Sequence, residues 1–264
     1  MLISIKPILL LLPALLLVGC NATPLKEVAG PQTEPAASLE ENYRMAQIAV
    51  NSQQYALAVK LYSELVTQLP HRADLQLELA QAASRAQRFD LAVHHYQKSI
   101  EIDPSVSAAW LGLGRTRLAQ NKVGQAEQAL AQALATAPRD PFALNAMGVV
   151  KDMRRAYSQA QRYYRQALQI KPGNAQFKNN LALSFMLDED YRSAVDLLYP
   201  LFQSGQASER MRNNLALALG LMGAEKQASS VLGDDRAKVE ANLAYYRWVR
   251  SGGNAGTSGA KVVE

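Results

Sequence analysis

The chain has 264 residues, a formal net charge of +5 and a single cysteine, Cys20. One cysteine excludes a disulfide within the chain. Charged residues are only 19% and the basic ones are spread over many turns, which excludes the concentrated basic face of a nucleic-acid binder. Abundant Ala and Leu, with aromatics at 7%, suit helices built from small and straight-chain residues.

Residues 1–19 carry one early positive charge, Lys6, and then an apolar run over residues 8–18. Eleven apolar residues are too few to span a bilayer as a helix, which takes about 20. They fit the hydrophobic region of a signal peptide. The run ends in Leu17-Val18-Gly19-Cys20, which resembles the bacterial lipobox. The resemblance implies cleavage before Cys20, with lipid (palmitate among it) on its sulfur and on the new amino terminus. Two or more acyl chains anchor a protein stably where one does not. Under the sorting rule known for such lipoproteins, Asn21 favours the outer membrane over the inner one. The expected location is the periplasmic face of the outer membrane, held by lipid. Residues 20–38, with Pro24, Gly30, Pro31 and Pro35, read as a flexible tether from Cys20, reaching roughly 25 Å.

Residues 39–233 repeat. Pro70, Pro104, Pro138 and Pro172 stand 34 apart, as do Ala58, Ala92, Ala126, Ala160, Ala194 and Ala228. Units beginning at residues 39, 73, 107, 141, 175 and 209 place a small residue at the eighth position: Ala46, Ala80, Gly114, Gly148, Ala182 and Ala216. The seventeenth position holds Tyr55, Phe89, Val123, Tyr157 and Tyr191, and the twenty-fourth Tyr62, Tyr96, Leu130, Tyr164, Leu198 and Leu232. Both series read as packing residues that fill the space beside the small ones. This period and pattern resemble the tetratricopeptide repeat, a helix–turn–helix unit. The expected fold is all-α, a right-handed superhelical tetratricopeptide-repeat solenoid of about six units. Pro200 should end the second helix of unit five early. Unit six has room for about eight residues of second helix before Gly233. Residues 234–250, with Val239, Leu243, Tyr246 and Trp248, read as a helix capping the open end. Residues 251–264 have nothing to bury and read as a disordered tail.

No nucleophile–base pair, phosphate loop or metal-ligand spacing stands out. The expectation is a non-enzyme with no catalytic residue, cofactor, metal, nucleic acid or small-molecule substrate. His71, His94 and His95 read as surface histidines. Asp188-Glu189-Asp190 reads as a solvated turn, and Arg154, Arg155, Arg162 and Arg165 as a local basic patch. By analogy with known repeats, positions 2, 5, 9 and 12 face a concave groove. In units four to six they give Phe142, Asn145 and Val149, then Gln176, Asn179 and Leu183, then Arg210, Asn213 and Leu217. Position 6 adds Asn180 and Asn214. Amides carry donors and an acceptor, so this ladder could hold the backbone of an extended peptide beside an aliphatic stripe. Pairing with neighbouring backbone or helix ends is the other reading of the same residues.

Lys178-Asn179-Asn180-Leu181-Ala182-Leu183 and Arg212-Asn213-Asn214-Leu215-Ala216-Leu217 form a doublet, followed by Ala241-Asn242-Leu243-Ala244-Tyr245-Tyr246. With the lipobox, this layout resembles the TadD lipoproteins of the tight-adherence (Flp) pilus assembly system. The resemblance implies a scaffold that helps assemble or localise a pilus or secretion machine, with the secretin as protein partner and the lipid anchor holding the membrane. A general periplasmic adaptor for envelope or peptidoglycan machinery is the alternative.

Overall fold

The computed structural model describes residues 35–233, together with Ala241 and Ala244. The signal peptide, Cys20 and most of the tether lie outside the described residues. So do the tail and all but two positions of the capping segment. The described chain forms six helix pairs. They are α1 (Pro35–Asn51) with α2 (Tyr55–Gln68), α3 (Ala73–Arg85) with α4 (Phe89–Ile102), and α5 (Ser107–Ala119) with α6 (Val123–Thr136). Then come α7 (Pro141–Met153) with α8 (Tyr157–Ile170), α9 (Ala175–Leu187) with α10 (Tyr191–Gln203), and α11 (Glu209–Leu221) with α12 (Glu225–Leu232). Each helix packs on the next, and α3, α5, α7, α9 and α11 also touch one another in series. The first helices of the units therefore share one face of an all-α solenoid. Among the described residues no helix is long and apolar enough to cross a membrane.

The small residues explain the pairing. Ala46, Ala80, Ala182 and Ala216 at the eighth position, and the six alanines at the twentieth, are fully buried. Side chains this small let two helix axes approach at the close end of the usual 8–10 Å. The twenty-fourth residue fills what remains: Tyr62, Tyr96, Leu130, Tyr164 and Leu198 are all buried. At Gly148 the fit is closest. A Cβ there would stand 2.5 Å from the Tyr164 ring, and that ring is held by its hydroxyl, which donates to Asp152 Oδ2 at 2.8 Å. The seventeenth-position aromatics are only half-buried; Tyr55 instead carries the Arg85 guanidinium 5.8 Å above its ring.

The turn inside each unit follows one design. The fifteenth residue is left-handed every time: Gln53, Gln87, Asn121 and Arg155 at φ 58°, Glu189 at 63° and Gly223 at 84°. The next N–H then reaches back five residues, as Arg88 does to Ala83 O and Ala224 to Leu219 O, at 2.8 Å in both. This is the Schellman closure of a helix C-terminus. Only unit six uses glycine for it. Between units the chain turns at the prolines, each just beyond a helix cap. Asp140, Asn174 and Ser208 accept from first-turn N–H groups and start α7, α9 and α11.

Two elements differ from the sequence reading. α1 begins at Pro35, inside the segment read as tether, because proline is well placed at a first helical position. α10 runs through Pro200 to Gln203 rather than stopping at the proline. Pro200 lies in the last turn on an exposed face, so the one missing N–H costs a single frayed hydrogen bond.

Neighbouring units are tied by side chains at their first turns. Gln76 Nε2 donates to Pro70 O at 3.0 Å, and Trp110 Nε1 to Pro104 O at 2.9 Å. Gln76 Oε1 lies 2.7 Å from His95 Nδ1. His95 is thus half-buried and bonded, not a free surface histidine. Burial, with a smaller contribution from His94, pushes its pKa down to about 4.

Two outcomes follow. Gly148→Ala should destabilise the solenoid by about 1–2 kcal/mol, overpacking onto Tyr164, whereas Gly124→Ala, with only Arg154 Nη2 near at 3.9 Å, should stabilise it by about 0.5–1 kcal/mol; thermal unfolding reads both. His95 is harder to protonate folded than unfolded, so its contribution is complete above its ordinary pKa of about 6.5 and is lost as pH falls toward 4. Denaturant midpoints should drop across that window in the wild type, and less so in His95→Gln.

Candidate functional site

The shared face of the first helices carries a cavity of about 330 Å³ in units three to five. α5 supplies Arg115 and Leu118, α7 supplies Phe142, Asn145, Ala146 and Val149, and α9 supplies Gln176, Phe177 and Asn180. These are ninth, twelfth, second, fifth, sixth and third positions of their units. They meet because residues three and four apart share a helix face and each unit repeats the last. Four of the nine expected groove residues, Phe142, Asn145, Val149 and Gln176, therefore line one space.

Phe142 dominates it. Its ring is 41% exposed, a large apolar surface left uncovered at the mouth of a concavity. Phe177 meets it edge-on with centroids 5.6 Å apart, and Lys171 Nζ stands 4.6 Å from its centroid, close enough for a cation–π contact. Asn145 and Asn180 are half committed. Asn180 Nδ2 donates to Asn145 Oδ1 at 2.9 Å. That leaves the Asn145 N–H₂ and the Asn180 Oδ1 without a partner among the described residues. A donor and an acceptor side by side match the alternating C=O and N–H of an extended peptide.

The other asparagines are placed differently. Asn214 Nδ2 donates to Asn179 Oδ1 at 2.8 Å, and Asn179 is buried. The ladder is therefore an offset one: the fifth residue of one unit accepts from the sixth of the next. At Asn179 the amide joins α9 to α11 and is closed to solvent. Asn213, Leu183 and Leu217 are half-buried and Arg210 is exposed; none of the four lines the cavity. The Asn-Asn doublets contained this signal, because a fifth and a sixth position 35 residues apart can meet only across a unit boundary.

The polar network behind the cavity was not legible in advance. Asp152 accepts from Ser184 Oγ at 2.6 Å and from Tyr164, joining units four and five, and burial raises its carboxyl above the usual range. Glu127 takes Lys151 at 2.5 Å and Arg154 at 2.7 Å. Arg165 lies over the Phe185 ring at 5.5 Å. Two arginines of the expected basic patch are thus engaged between units. In the Asp188–Asp190 turn, Asp188 accepts from Gln161 and Asp190 caps α10. Among the described residues no cluster of His, Cys, Asp or Glu could hold a metal.

Asn214→Ala should cost about 1–3 kcal/mol, because it strands a buried Asn179 acceptor. Asn145→Ala should cost about 1 kcal/mol or less, because water reaches Asn180. Equal costs in chemical unfolding would contradict this division.

With this geometry established, the resemblances to known proteins are consistent. Models of the tetratricopeptide repeat match residues 43–107 and 83–148. No curated protein sequence matches the chain. Among solved structures, that of pilF from Pseudomonas aeruginosa is 15% identical, with TM-score 0.65 over 82% of this chain and 98% of that one. A tetratricopeptide repeat protein from Parabacteroides merdae is 12% identical, with TM-score 0.65 over 81% and 86%. YrrB, described as a tetratricopeptide-repeat protein with an unusual peptide-binding site, is 12% identical, with TM-score 0.55 over 70% and 97%. The twelve described helices and the matched repeats together make this chain an all-α tetratricopeptide-repeat solenoid.

Proposed function

We propose that this chain is a lipid-anchored scaffold whose groove holds an extended segment of a protein partner. It performs no chemistry of its own. The observation that carries this reading is the cavity over units three to five, with Phe142 exposed beside the unpaired halves of Asn145 and Asn180. The amide halves take peptide backbone, and Phe142, Val149 and Leu118 take an apolar side chain. Arg115 and Lys171 favour an acidic flank. The peptide-binding site named for YrrB, a protein of similar fold, supports the same use of this one.

The lipobox at Cys20 and the likeness to TadD lipoproteins support a narrower assignment. In it, acylated Cys20 holds the chain to the periplasmic face of the outer membrane, and the groove engages a segment of a pilus or secretion-system secretin. Anchor and groove in one chain then raise the local concentration of that subunit at the membrane.

Affinity capture with the full lipidated chain tests both levels. Wild type should retain the secretin subunit. Phe142→Ser should lower its affinity at least about tenfold, the order of one buried aromatic anchor, without shifting the unfolding midpoint by more than a degree or two. Undiminished capture by Phe142→Ser removes the groove from the account. Capture of other envelope proteins without secretin replaces the pilus role by that of a general periplasmic adaptor.

A further inference from the structure

Unit six is uncovered on the side where each earlier unit is covered. In units two to six the third, seventh and tenth residues of the first helix are buried against the unit before, as Phe177, Leu181 and Ser184 are in α9. The twenty-fourth residue is at most 3% exposed in units one to five. Leu232, at the same position in unit six, is only half-buried. Asn145 and Asn179 each accept from a sixth-position asparagine of the next unit. Asn213 stands at their position, and no described residue donates to it.

From these observations we infer that the open face of α11 and α12 is the docking site for residues 234–250 of this same chain, which join the stack as half a seventh repeat. Asn242 takes the sixth position in this register and reaches Asn213.

Spacing supports the register. Asn180-Leu181-Ala182 and Asn214-Leu215-Ala216 are 34 residues apart, and Asn242-Leu243-Ala244 follows 28 after the second, six short of the period. α12 has 8 residues where α2, α4, α6 and α8 have 14, also six short. The shortened second helix thus returns the motif to phase. Counting from Asn242, the third, seventh and tenth positions are Val239, Leu243 and Tyr246, all apolar, as the stacking face requires. Ala244 becomes the eighth position. In a complete unit that residue is buried beneath its own second helix; Ala244 is helical and exposed, as a first helix without a partner must be. Tyr245 and Trp248 take the ninth and twelfth positions, those by which Arg115 and Leu118 wall the cavity. The groove thereby gains an aromatic end.

Hydrogen exchange of the full chain, read over α12 with α3 to α6 as internal reference, tests this. Leu243→Asp and Tyr246→Asp should each speed α12 exchange at least about tenfold, as expected for loss of a cooperative neighbour, with the reference unchanged. Tyr245→Asp, one position round the helix, should leave α12 as in wild type. Asn213→Ala and Asn242→Ala should each speed it, and the double variant should be no faster than the faster single one. Three results overturn the proposal: no response to Leu243→Asp, an equal response to Tyr245→Asp, or independent, multiplying effects of the two asparagines. So does wild-type protection of α12 that rises with protein concentration, which would seat a second copy on that face.

Discussion

The structure depends on how closely two helices approach inside each unit. An alanine or glycine at the eighth position and an alanine at the twentieth set that distance, and both are buried wherever they occur. A larger side chain at either would wedge the pair apart. Because the distance is nearly the same in every unit, each pair presents its next neighbour with nearly the same surface. Stacking then repeats, and each unit finds its core in the unit beside it. The concave face follows from this stacking: it is what the first helices share once the second helices are held outside them.

The stack is not held in one way throughout. In units one to three, side chains at the first turn bond to backbone of the preceding unit, as Gln76, Ser99 and Trp110 do. From unit three to unit four the link is ionic, with Glu127 between Lys151 and Arg154. Beyond that it is the Asp152 knot and two amide pairs. The change places polar side chains on the concave side in the C-terminal half. There one amide pair is buried away and the other lies open beside Phe142. The candidate site is thus a by-product of stacking chemistry, made available by one exposed aromatic ring.

Much of this was legible beforehand. Packing must recur in every unit, so the 34-residue beat, the eighth and twentieth positions and the helix boundaries at the prolines were readable. The inward face of the first helices was readable for Phe142, Asn145, Val149 and Gln176. The left-handed turn residue was not, because Gln53, Gln87, Arg155 and Glu189 are not turn formers; cooperative helix pairing imposes the conformation on them. Nor was the destination of the asparagines. Three of them at one position suggest a uniform ladder, but Asn179 and Asn145 differ in what lies above them. That depends on contacts between units, which periodicity within units does not encode. His95 and Pro200 were misjudged for the same reason: each was read by residue type, and each was decided by its neighbours.

The central claim is that the concave face over units three to five receives an extended peptide through the free halves of one amide pair. The most direct measurement is side-chain amide NMR of the chain titrated with a secretin-derived segment that it captures. The account predicts that the Asn145 and Asn180 side-chain resonances shift in step with the Phe142 ring, while those of Asn179 and Asn214 stay in place. Shifts confined to the outer helices α6 and α8, with Asn145 and Asn180 unmoved, would contradict it.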